Sequence, residues 1–268
     1  VLKSGGTLSG DGNAARNEYS GSATLVGYDY RFANGWRIGA LGGSARTDND
    51  SERQDKGRIK STQLGVYAGQ NWGRIALSAG YTHARQDLTL DRRIGFNGFA
   101  DRTRASYDGR TQQAFVEGGY RFGNERWGLE PYLQVAKLRA KTDAFQETGG
   151  AAALSGASAE SEVDLATLGV RFNVDLKGSQ QDQSWLSLRG GLGRRHASGD
   201  LTPVTQVAWR GGSAFAVAGA PLADDSTLVE AGVAARLSAN GLLELNYSGQ
   251  FANEGNDHGF NARYSLRF

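Results

Sequence analysis

Apolar and polar residues alternate one by one along nearly the whole chain, and this period of two constrains the fold more than any other feature. In "ATLGVRFNVDL", Ala166, Leu168, Val170, Phe172, Val174 and Leu176 share one face. In "YSGSATLVGYDYRF" that face holds Val26, Tyr28, Tyr30 and Phe32, and in "STQLGVYAGQNW" it holds Leu64, Val66, Ala68 and Trp72. Successive side chains of a strand point to opposite sides, so each segment reads as a strand with one apolar face. The pattern recurs at 36–40, 75–81, 114–122, 129–135, 186–192, 229–237 and 243–251. The chain closes on "DHGFNARYSLRF", where Phe260, Ala262, Tyr264, Leu266 and Phe268 alternate with polar residues. With a weaker segment in "VLKSGGTLSG", the reading gives twelve strands. The 39 glycines argue against long helices, where each costs about 1 kcal/mol relative to alanine.

The other face of these strands is small or charged. It carries Glu117, Arg121, Glu130, Arg171, Asp175, Arg189, Glu230, Arg236, Glu244, Arg263 and Arg267, with many glycines between them. Period alone does not say which face points inward. A soluble sandwich or barrel buries its apolar face, whereas a membrane barrel turns it to lipid and keeps a polar interior. The mean hydropathy of −0.48 does not oppose the second choice, because a membrane strand needs only every second residue apolar.

Three features favour the membrane barrel. Connections near 33–35, 73, 123–126, 177–183 and 239–241 are short. Those at 91–104, 146–158 and 200–226 are long, and those at 11–17, 50–56 and 253–257 are of moderate length. Short and long ends alternate, as expected for periplasmic turns at one rim and extracellular loops at the other. Trp36, Trp72, Trp127 and Trp185 all flank short connections, which places an aromatic girdle at the periplasmic rim. A soluble closed barrel with so many strands would be too wide to fill with Gly, Ala and Val, since side chains fill a lumen at about eight strands. The expected fold is therefore an all-β, twelve-stranded antiparallel transmembrane barrel forming one domain over residues 1–268.

Composition bounds the chemistry. With no cysteine there is neither a disulfide nor a thiolate metal site. Thirty basic and 28 acidic residues give a net charge of +2 without a basic stripe, so no nucleic-acid partner is expected. Of the three histidines, His196 lies near Ser198 and Asp200, but these alternate residues of one extended segment are too close in sequence for relay geometry. No metalloprotease, P-loop or dinucleotide motif appears. No catalytic, metal or cofactor site is expected. With no methionine, Val1 is expected to be an internal position of a longer or processed polypeptide, with any signal peptide upstream.

Several stretches carry a resemblance in their order and spacing. They are "DGNAARNEYSGSATLVGYDYRFANGWRIGALGGSART", "EPYLQVAKL", "TLGVRF", "GRRHASGDLTP", "GGSAFAVAGAPLADD", "LVEAGV", "LNYSGQF" and "DHGFNARYSLRF". Together they resemble the C-terminal translocator β-domain of autotransporters (type Va secretion) over essentially the whole chain. That resemblance implies a barrel in the outer membrane of a Gram-negative bacterium. It also implies an upstream passenger polypeptide exported with help from the barrel-assembly machinery and periplasmic chaperones. The loops "GGAAALSG" and "GGSAFAVAGAPL" look most like members with subtilisin-like protease or esterase passengers. Members usually carry a pore-threading helix before the first strand. Val1 begins almost at the strand, so most of that helix and the passenger are expected to lie outside this segment.

The resemblance also suggests roles. Phe260, Tyr264, Leu266 and Phe268 are expected to form the assembly signal of the last strand, and the charged face listed above is expected to line the lumen. Outer-membrane lipid is the other expected partner, and a closed barrel without sheet edges is expected to be monomeric. The competing functions are an outer-membrane barrel enzyme of the phospholipase or protease kind, and a passenger-free pore or adhesin.

Overall fold

The computed structural model describes residues 1–9, 15–52, 55–124, 126–177 and 186–267. Twelve long antiparallel strands form a closed barrel. They are β1 (Leu2–Leu8), β2 (Asn17–Arg31), β3 (Arg37–Ser51), β4 (Lys56–Trp72), β5 (Ile75–Phe96) and β6 (Phe99–Tyr120). The second half comprises β7 (Trp127–Thr142), β8 (Ala159–Lys177), β9 (Leu186–Gly199), β10 (Asp225–Arg236), β11 (Gly241–Phe251) and β12 (Gly255–Leu266). Each strand pairs with the next in sequence, and β12 returns to β1 in the register Leu2↔Asn261 to Leu8↔Gly255. Closure satisfies the backbone groups that a sheet edge would leave open, which hydrocarbon cannot hydrate.

The faces follow the alternation. Val26, Leu64 and Leu168 are 74%, 67% and 65% exposed. Buried positions are small or polar: Ala105, Ala136, Ala197, Ala234, Thr103 and Thr167 among them, with Tyr132 the largest apolar one. A water-soluble fold of this size would bury its large aliphatic side chains. Here they form a continuous exposed belt that lipid must cover.

At one rim the fully described hairpins are tight. Gly73 has φ +61°, and the Gly73–Arg74 link is all that separates Trp72 from its ladder partner Ile75. The opposite rim is taller and corrects the expected long connection at 91–104. The β5–β6 ladder continues through that stretch, from Ile75↔Tyr120 to Phe96↔Phe99, leaving a turn of Asn97 and Gly98. Gly98 has φ +81°. An Asn-Gly pair is favoured in a two-residue hairpin because its turn tolerates positive φ, and the alternation on both sides was the missed signal. The rings of Phe96 and Phe99 stack at 4.9 Å on the tip. His83 lies well inside β5.

The segments at 146–158 and 200–226 carry a second, four-stranded antiparallel sheet at this rim. Its strands are Phe145–Gln146, Leu154–Gly156, Val204–Trp209 and Phe215–Ala218. The last two form a hairpin closed by 210–214, and Trp209 packs on Phe215 with ring centroids 4.7 Å apart. In intact cells, added protease should cut within 210–214 and spare the turn at 33–35. Mass mapping of the fragments checks this, and cleavage at 33–35 would invert the topology.

Candidate functional site

The polar wall of the barrel is the richest chemical surface, and strand parity builds it. On β6, β7 and β8 the residues between the exposed apolar ones are Glu117, Gln134, Tyr132 and Arg171. Glu117 accepts from both Nη atoms of Arg171 at 2.6 and 3.0 Å and from Gln134 Nε2 at 2.8 Å. The Arg171 guanidinium also lies 3.8 Å from the Tyr132 ring centroid and 3.6 Å from Glu230 on β10. A second group joins Glu244 of β11 to Arg189 of β9, with Arg263 Nε 3.7 Å from the other carboxylate oxygen. The Glu244 side chain is only 9% exposed.

The remaining predicted residues stand apart from these groups. Arg121 donates to Asn173 Oδ1 at 3.3 Å. Glu130 is the ladder partner of Arg171 but packs beside Gly119. The backbone N–H of Asp175 donates to the Arg126 carbonyl at 2.8 Å. Arg236 ends β10 and is exposed. Arg267 follows β12 and its N–H donates to the Asn240 carbonyl at 2.9 Å. Arg121, Glu130, Asp175, Arg236 and Arg267 form no ion pair among the described residues.

Other members of this wall were not singled out in the sequence. Tyr67 donates to Asp29 at 2.8 Å, and Arg37 stands 3.5 Å from the same carboxylate. Arg195 donates to Gln250 at 3.0 Å and to Thr167 at 3.3 Å. Parity could have found Tyr67 and Tyr132, since both fall between apolar-face positions. At the tall rim, Arg92 binds Glu147 through Nε and Nη2 at 3.0 and 2.6 Å. Glu147 is 2% exposed and also accepts from the Leu154 N–H at 2.9 Å, tying the small sheet to β5.

Removing one member of the first group should be costly. Glu117→Ala leaves Arg171 without its two-point partner, and charge-assisted hydrogen bonds contribute about 1.5–3 kcal/mol each. Hydration of the wall lowers that, so a loss of about 1–3 kcal/mol is expected. Urea titration in lipid vesicles measures it, with Glu130→Ala as the control that should change little.

Trp36, Trp72 and Trp127 flank tight connections. Trp36 and Trp72 meet edge to face at 5.9 Å, and Trp127 is 46% exposed. Tyr30 with Phe32 and Tyr120 with Phe122 form further pairs at 4.9 and 4.8 Å. On β12, Phe260, Tyr264 and Leu266 are exposed on the apolar face. Trp185 and Phe268 lie outside the described residues. His196 is 3.4 Å from Asp225, while Asp200 accepts from the Glu162 N–H at 2.9 Å, so the histidine and Asp200 engage different partners.

Comparison with known proteins agrees with this architecture. A family model described as "Autotransporter beta-domain" matches residues 1–248. An extracellular serine protease of Serratia marcescens is 32% identical over 269 aligned residues, which cover 100% of this chain and 26% of the protease. The chain thus spans about a quarter of that relative. The translocator domain of the autotransporter NalP from Neisseria meningitidis superposes with a TM-score of 0.80 at 16% identity, covering all of this chain and 86% of that one. The transport unit of AIDA-I from Escherichia coli gives 0.75 at 12% identity, covering all of this chain and 88% of that one. The fold, the lipid-ready belt and the family match converge: this chain belongs to the autotransporter β-domain family, outer-membrane barrels of Gram-negative bacteria.

Proposed function

We propose that this barrel anchors an autotransporter in the outer membrane and assists export of an upstream passenger to the cell surface. The observation that carries this reading is the closed barrel with an apolar belt on one face and paired charges on the other. Ion pairs such as Arg171–Glu117 and Arg189–Glu244 skip a strand, a reach that the concave side of a curved sheet favours. This supports a lumen lined by Glu117, Arg121, Glu130, Arg171, Asp175, Arg189, Glu230, Arg236, Glu244, Arg263 and Arg267. Such a wall holds water and offers an extended polypeptide little apolar surface to stick to.

The same proposal assigns Trp36, Trp72, Trp127 and Trp185 to the periplasmic interface. It assigns Phe260, Tyr264, Leu266 and Phe268 to recognition by the barrel-assembly machinery, after delivery by periplasmic chaperones. Residues 1–268 act as one monomeric translocator domain. The name of the Serratia relative supports a serine-protease passenger for the complete polypeptide.

The test places a signal peptide, an epitope and a flexible linker ahead of Val1 and measures epitope exposure on intact cells. Surface labelling above that of a matched barrel lacking the epitope is expected. Periplasmic retention of the epitope beside a correctly inserted barrel overturns the export reading and leaves a pore or adhesin.

A further inference from the structure

A like-charged pair stands where the apolar belt ends. Arg85 of β5 and Arg110 of β6 are direct ladder partners, and Arg110 is also the partner of Lys141 on β7. Both arginines are exposed. Directly opposed side chains lie about 4.5–5.5 Å apart at Cβ, and like charges so placed repel. Neither arginine forms an ion pair among the described residues. Several neighbouring cations on this wall are neutralised: Arg46 and Arg58 hold Asp48, Lys137 and Arg139 hold Glu162, and Lys141 stands 3.8 Å from Glu160.

The nearest uncommitted carboxylates are Asp87 and Asp108, two residues further along each strand and opposite one another. Lys60 is the ladder partner of Asp87. The row of Asp87 and Asp108 therefore holds its own cation in Lys60, and Lys141 at the end of the arginine row faces Glu160. Arg85 and Arg110 between them face only each other and Lys141 as charged ladder partners, and the pair asks for an anion from outside the protein.

Height identifies the source of that anion. Ile75 and Tyr120 are ladder partners at the tight-turn rim, and each arginine lies ten residues from them along its strand. At about 3.4 Å per residue and a tilt of about 40°, this is a rise of roughly 26 Å, close to the apolar band of about 25 Å. Between them the exposed face runs through Leu77, Ala79 and Tyr81 on β5 and Val116 and Ala114 on β6. The pair His83–Gln112, 3.4 Å apart, comes last. Arg85 and Arg110 are thus the first charged residues of these strands above the belt, on the side of the long loops. That is the level of lipid headgroups in the outer leaflet.

We propose that Arg85 and Arg110 bind a phosphate of an outer-leaflet glycolipid. Two guanidinium forks side by side match the oxygens of one phosphate, and its charge removes their mutual repulsion. The acyl chains would then descend over Tyr81, Ala114 and Val116. Asp87 and Asp108 repel a phosphate riding higher and so set its depth. This inference rests on the barrel's membrane orientation and is independent of whether the chain exports a passenger.

The test uses the purified chain in detergent, incubated with lipid A carrying both phosphates and examined by native mass spectrometry. Parallel arms contain dephosphorylated lipid A, phosphatidylcholine and millimolar inorganic phosphate as competitor. The wild-type chain should retain lipid A and neither uncharged-headgroup analogue nor phosphatidylcholine. Arg85→Gln with Arg110→Gln should lower retention about tenfold or more, as expected for losing a charge-assisted hydrogen bond. Arg85→Lys with Arg110→Lys should keep part of it, and Arg58→Gln, which disturbs an already neutralised charge, should leave it unchanged. Heat-modifiable migration verifies folding, and the single Arg85→Gln variant carries the test should the double variant misfold. Wild-type retention by the glutamine variants overturns the proposal, as does equal loss in Arg58→Gln. Displacement of lipid A by inorganic phosphate would reduce the pair to a bare phosphate site and overturn the lipid assignment.

Discussion

Val66→Arg should destabilise the barrel by about 2–4 kcal/mol in lipid vesicles, the penalty for a cation near the bilayer midplane. Val66 is 56% exposed, so in a water-facing protein the same change would shift stability by about 0.5 kcal/mol or less. The difference arises wholly from the solvent. Val66 lies between Trp72 at the tight rim and Lys60 at the tall one, deep in the belt of β4. Urea titrations of the refolded domain in vesicles measure the loss, and Lys60→Arg provides a control outside the belt. A Val66→Arg barrel as stable as wild type would mean that this face does not meet hydrocarbon.

Deletion of Phe268 should abolish most surface display in cells while leaving refolding from urea into detergent nearly normal. Fully burying a Phe contributes about 1.5–3 kcal/mol, and an interfacial position contributes less. As packing alone, its removal would yield a slightly less heat-stable barrel that still assembles. A larger defect confined to cells would locate its role in delivery, before β12 meets β1. Phe260, Tyr264 and Leu266 share the exposed face of the preceding strand and would present the rest of such a signal. Immunolabelling of whole cells alongside heat-modifiability of the refolded domain separates the two roles. Normal surface levels would sink the signal, and equal failure in both assays would assign Phe268 to the fold itself.

The strands and their faces were legible in the sequence because the period of two is a local property. Val26, Leu64 and Leu168 declare their side of the sheet without reference to any distant residue. In a membrane barrel that local pattern also maps directly onto solvent, since one parity meets lipid and the other does not. The tight rim was legible for the same reason: Gly73 and the residues around Gly35 mark turns within a few positions of their tryptophans. At 97–98 the Asn-Gly signal was present too, but the charges of "RRIGFNGFADRTR" concealed a ladder that climbs well beyond the belt.

Pairing across the polar wall was not legible. Parity places Glu117, Glu130, Arg171 and Glu230 on one face, yet it cannot say that Arg171 turns from its direct partner Glu130 toward Glu117, two strands away. That choice depends on the curvature and stagger of the closed sheet, which bring alternate strands within side-chain reach. The small sheet at the tall rim depends on tertiary structure even more. Glu147 finds Arg92 and the Leu154 N–H only because 143–158 folds back over β5 and meets the hairpin of 204–218. Alternation therefore determined which residues face which solvent, whereas closure of the barrel decided which charges meet, because distance across a curved sheet is set by all of its strands together.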